Sequence, residues 1–73
     1  MYNTKVSNNL SESIYAGNST AVNNLPSWLL KSDFSRNNTD LIATSPNGEK
    51  LTLVDYFTNF ELPNIYTENG LQL

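Results

Sequence analysis

Two Asn-Gly dipeptides, Asn47-Gly48 and Asn69-Gly70, constrain this chain more than any other feature. Asn-Gly is the strongest short-range hairpin signal, because both residues tolerate a positive φ. Around the first, the stretch "DLIATSPNGEKLTLVDYF" supplies both arms of a hairpin over residues 40–57. Leu41 and Ala43 face one way and Ile42 and Thr44 the other. Pro46 presets the backbone angle at the second turn position, and Asn47 and Gly48 complete the reversal. Leu51 and Leu53 then alternate with Thr52 and Val54, the two-residue period of a half-buried strand. Tyr56 and Phe57 close the run with aromatic mass. Around the second dipeptide, Pro63 marks a bend or an edge position. Ile65, Tyr66 and Thr67 are good strand formers, and Leu71 and Leu73 resume the alternation. The turn-forming residues are therefore Pro46, Asn47, Gly48, Asn69 and Gly70. A return strand of three residues contributes little pairing, which suggests a fragment or a chain that completes its sheet with another copy.

The rest of the chain adds little regular structure. Residues 1–24 are rich in Asn and Ser with isolated apolar residues, and read as a weakly ordered arm. Leu10 and Ile14 sit at helical spacing, with Ser11 or Asn9 as a cap. At most two turns would result, too few to stand alone. The arm is expected to stay flexible or to add one edge strand. Residues 25–73 form the module proper. In "LPSWLLKSDF", Pro26 fits the first turn of a helix and Ser27 its cap, so a short helical or irregular segment packs Trp28 and its neighbours onto a sheet. The expected core is Trp28, Leu30, Phe34, Leu41, Leu51, Leu53, Phe57 and Ile65. The fold class is mainly β: a small antiparallel hairpin meander with a short helical or irregular segment and a flexible N-terminal arm.

Composition limits the function. With 73 residues there is room for one small domain. Only 15% of residues are charged, and the net charge is -3. Lys5, Lys31, Arg36 and Lys50 are scattered, so no basic stripe exists to neutralise phosphates, and nucleic acid is not an expected partner. No stretch reaches the roughly 20 apolar residues of a membrane span, so membrane insertion is not expected either. The N-terminus lacks the basic and apolar regions of a cleavable signal peptide.

The sequence also argues against an enzyme. It has no His and no Cys, which removes Ser-His-Asp and Cys-His catalysis and the usual zinc sites. Its seven carboxylates are spread singly, and its three glycines form no phosphate loop. Calcium needs only oxygen ligands, which Asn37–Asp40, Asp33 and Asp55 could supply in part. No calcium-loop pattern accompanies them, so no cofactor is expected.

The stretch "DFSRNNTDLIATSPNGEKLTLVDYF" resembles a short module in the N-terminal regions of large type I-secreted, biofilm-associated adhesins and related RTX surface proteins. The matching residues are Phe34, Asp40, Leu41, Ile42, Gly48, Leu51, Leu53, Tyr56 and Phe57, followed by Pro63, Ile65, Gly70 and Leu71. The resemblance covers about 40 residues. It implies a non-enzymatic structural or anchoring module that is extracellular or associated with the outer membrane. It also implies export directed by a distant C-terminal signal. Two other classes remain open. One is a stand-alone binding or assembly protein, of phage or secretion-system origin, that docks by strand addition. The other is a small inhibitory protein. In every case the expected partner is a protein or a second copy, met through open sheet edges.

Overall fold

The computed structural model describes residues 11–73. They form six strands: β1 (Ser11–Tyr15), β2 (Ala21–Leu25), β3 (Asp33–Asn37), β4 (Asp40–Thr44), β5 (Lys50–Val54) and β6 (Asn64–Thr67). Two short 3₁₀ turns, Ser27–Lys31 and Tyr56–Thr58, interrupt them. The chain is mainly β, as the alternation implies.

The antiparallel part follows the turn signals. β3, β4 and β5 run as a meander, with Leu41 opposite Leu53 and Ala43 opposite Leu51. Both Asn-Gly turns adopt one geometry. The Gly48 amide donates to the Ser45 carbonyl at 3.0 Å, and the Gly70 amide to the Thr67 carbonyl at 2.8 Å. Gly48 lies at φ 92° and Gly70 at φ 82°. The first residue of each turn is a buried hydroxyl, Ser45 or Thr67. Ser45 Oγ accepts from the amides of Asn47 and Glu49, and Thr67 Oγ1 accepts from that of Leu71. Open space surrounds Gly48, so a substitution there meets only backbone strain. Gly48→Val should cost about 1–3 kcal/mol in thermal or urea unfolding.

The other pairings are parallel. β1 lies along β5, with Ile14 beside Leu53, and β2 lies along β6, with Val22 beside Ile65. The strand orders are β1-β5-β4-β3 in one sheet and β2-β6 in the other. Residues 11–24, read from sequence as part of a weakly ordered arm, thus form β1 and most of β2. The first ten residues of that arm, including Asn9 and Leu10 of the expected helical turn, lie outside the described residues. Ser11 and Ile14 belong to a strand, because the second half of the chain offers β1 a ladder that no isolated helical turn could match.

Asparagine does more here than keep the chain polar. Asn18, Asn24 and Asn38 all have positive φ, as does Asp55. Asn and Asp tolerate this left-handed region better than other non-glycine residues. Asn18 turns the chain between β1 and β2, and Asn38 turns it between β3 and β4. Asn24 sits where the β2–β6 register slips, a bulge.

The two sheets share one core: Ala16, Val22, Leu25, Leu29, Ala43, Leu51, Leu53, Tyr56 and Ile65. Ile14, Trp28, Leu41 and Phe57 pack against it half-buried. Of the expected core, Leu51, Leu53 and Ile65 are buried, and Trp28, Leu41 and Phe57 line its margin. Leu30 and Phe34 do not belong to it; each is 46% exposed. A 3₁₀ helix repeats about every three residues, so a segment of five turns few positions inward, and Leu29 is the buried one here. Phe34 shares a face with Ala43, but β3 is the edge of a four-stranded sheet covered by a two-stranded one. The edge strand overhangs. Arg36, also on β3, lies over the Phe57 ring at 4.3 Å from its centroid, a cation–π contact.

Ser27 caps no helix: the 3₁₀ turn follows Pro26 with no side-chain cap, and the Ser27 amide donates to Glu68 Oε2 at 3.3 Å. Among the described residues, no helix is long and apolar enough to cross a membrane.

Candidate functional site

The parallel pairings give the molecule a simple plan. Residues 11–25 run strand, corner, strand, and so do residues 50–67. The first arch lies directly along the second, with β1 on β5 and β2 on β6. Ile14 and Leu53 are 39 residues apart in sequence (53 minus 14) yet side by side.

The corners are joined as well as the strands. The Asn59 side chain bridges them: its Nδ2 donates to the carbonyls of Ala16 at 2.9 Å and Tyr56 at 2.8 Å. Its Oδ1 accepts from the Ser19 amide at 3.1 Å. One side chain thus satisfies backbone groups in both arches, and Ala16 is fully buried. Tyr56 braces the second corner by donating its hydroxyl to the Pro63 carbonyl at 2.9 Å. Burial raises the pKa of that phenol above its ordinary value. Neither Asn59 nor the two buried turn hydroxyls stood out in the sequence. Asn59 is one of many asparagines, and its partners in the first arch lie 40 or more residues away.

The two ends of this stack differ. Beyond the second arch, β4 and then β3 extend one sheet. The other sheet is extended by residues 71–73, where the Leu73 amide donates to the Ile65 carbonyl at 2.9 Å and Tyr66 bridges Gln72. Both strands of the second arch are therefore flanked on both sides. Among the described residues, β1 and β2 are flanked on one side only. The Ala16 amide points to Val54 of the second arch. Parallel strands aim alternate residues at opposite neighbours, so the backbone groups of Ser13 and Tyr15 point away from it. On β2, the Thr20 carbonyl accepts from Asn64, which turns the backbone groups of Ala21 outward. Two adjacent strand edges thus open at the same end.

The side chains beside that edge are specific. Paired residues share a face, so Glu12 lies in the inner row with Leu51, Ala43 and Phe34. Ile14 lies in the next row with Leu53, Leu41 and Arg36. Glu12 is thus an exposed carboxylate on the inner face of an edge strand. Tyr15, on the other face, is 63% exposed and folds its ring against Gly17.

Other candidate features do less. A cleft of about 410 Å³ separates the first 3₁₀ turn from the β4–β5 turn, lined by Trp28, Lys31, Asn47 and Glu49 among others. Its buried hydroxyl, Ser45, is occupied in holding the turn, and donates to Glu49 Oε1. Two of the carboxylates considered for calcium, Asp40 and Asp55, hold hydrogen bonds within the fold. Asp40 Oδ1 accepts from the Asp55 amide at 2.9 Å, and Asp55 Oδ1 accepts from Thr39 Oγ1 at 3.1 Å. Asp33 lies at the far end of β3, opposite Thr44. Among the described residues, no three acidic side chains gather in a way that could hold a metal ion.

Comparison with protein-family models, with curated proteins and with solved structures finds no match to this chain.

Proposed function

We propose that this chain is a non-enzymatic structural or anchoring module of a large exported bacterial adhesin, acting through strand pairing and apolar contacts. The observation that carries the reading is that, among the described residues, two adjacent parallel-paired strands, β1 and β2, are flanked on one side only. An arch whose backbone donors and acceptors point outward offers a surface for joining further β-structure, not for turnover. The resemblance of residues 33–57 and the stretch after them to adhesin modules supplies the context, with export by a type I route and a place outside the cell or at the outer membrane. Partners in this reading are proteins.

A second reading, a stand-alone assembly protein that docks by strand addition, draws support from Phe60 and Leu62. Phe60 is fully exposed and Leu62 is 54% exposed, both on the second corner. They would meet a separate partner.

The two readings part in the cell. Deleting residues 11–73 in frame from the gene in its own bacterium should move the encoded adhesin from the cell surface into the medium. Immunoblots of whole cells and culture supernatant would register the change. A cytosolic product that ends with this module would overturn the adhesin reading and leave the second.

A further inference from the structure

We infer that the open end of the stack accepts a parallel β-arch of another polypeptide segment, one that carries a lysine or arginine over Glu12, and that Glu12 keeps a second copy of this chain from pairing β1 to β1 across a two-fold axis. The inference rests on the strand-pairing part of the reading above, and not on the adhesin assignment.

The occupant follows from the molecule's own construction. The first arch already accepts a parallel arch on its other side, in continuous register along β1 and with one bulge along β2. Its outer side presents the same repeating backbone groups, from Ser13 and Tyr15 on β1 and Ala21 on β2. A single strand would satisfy one of these edges. An arch satisfies both and continues the core over Ile14, which is half-buried, and Val22.

Glu12 sets the chemistry of the partner. It stands in the inner row, where the next arch would cover it. A charge buried there needs an opposite charge beside it. A second copy meeting β1 to β1 by a two-fold axis would run antiparallel. That arrangement sets Glu12 opposite its own counterpart, or, one register over, covers it with Ile14. The first repels and the second buries an unpaired carboxylate. An inward charge on an edge strand is also a device by which sheet proteins avoid self-pairing. A cation on an incoming arch removes the penalty, so the edge selects its partner as well as admitting one.

The test uses the whole isotope-labelled chain and two synthetic peptides, residues 11–25 as they stand and residues 11–25 with Glu12→Lys. Stacked in parallel and in register, the substituted peptide places lysine over Glu12 and isoleucine over Ile14. By sedimentation the chain alone should be monomeric. The Ser13 and Tyr15 amides should exchange rapidly with solvent, and the Ile14 amide slowly. The lysine peptide should shift and protect the Ser13, Tyr15 and Ala21 amides. It should bind at least about tenfold more tightly than the unsubstituted peptide, since like charges in contact cost several kcal/mol. In a chain carrying Glu12→Lys, the preference should reverse. Glu12 is exposed, so that variant remains folded.

Four results would each overturn the inference: no shift at those amides with either peptide, equal binding of the two, self-association of the unsubstituted chain through the same amides, or slow Ser13 and Tyr15 exchange in the free monomer. None of them bears on where the adhesin sits in the cell, so each proposal can fail alone.

Discussion

Leu51→Ala should lower stability by about 2–5 kcal/mol in urea unfolding, the range for removing a buried leucine side chain. Leu51 is fully buried on β5, the strand between β1 and β4. Its side chain sits in the row with Ala43, so the cavity would open at the centre of the larger sheet. A domain of this size has a total stability of roughly 4–11 kcal/mol, at roughly 0.05–0.15 kcal/mol per residue. The substitution should therefore remove a large fraction of the total stability. Leu30→Ala serves as the comparison. Leu30 is 46% exposed in the 3₁₀ turn, and its loss should cost under about 1 kcal/mol. Equal effects at the two leucines would contradict the placement of the core.

The second large effect is expected at Asn59. Asn59→Ala should cost about 1–3 kcal/mol, because it strands the buried Ala16 carbonyl and removes the acceptor for the Ser19 amide. Asn59→Asp should be no better. It keeps an acceptor for Ser19 but turns an oxygen toward two carbonyls that now receive N–H donors. Deuterium exchange should localise the damage, with β1 and β2 amides losing protection more than those of β3 and β4. Uniform loss across the sheet would mean that Asn59 supports the whole core and not the join between arches.

How much of this could be read from the residues depends on how far each signal reaches. The β4–β5 hairpin was legible because Pro46, Asn47 and Gly48 lie beside the alternation they connect. The second turn was legible for the same reason, though the buried Thr67 that organises it looks like any strand threonine. The parallel stacking was not legible. Ile14 and Leu53 owe their contact to a 39-residue excursion that leaves no local pattern, and the two arches share no evident sequence repeat. Asparagine misled most. Asn18 and Asn24 looked like marks of a loose arm, whereas each occupies a left-handed position that lets β1 and β2 form. Phe34 misled because alternation assigns a face but does not say how far the opposing sheet extends. Open edges were expected in kind, since a short meander must end somewhere. That two of them, on β1 and β2, lie side by side with an inward Glu12 needed the register.

The parallel stacking of the two arches creates the paired open edges on which the proposed strand pairing rests. Proton–proton contacts in solution test it most directly. The account predicts cross-strand nuclear Overhauser effects between Ile14 and Leu53 and between Val22 and Ile65, alongside those between Leu41 and Leu53 of the antiparallel pair. A spectrum that shows the Leu41–Leu53 contact but neither of the other two would mean a hairpin meander with a detached leader, and would contradict the stack and its open end together.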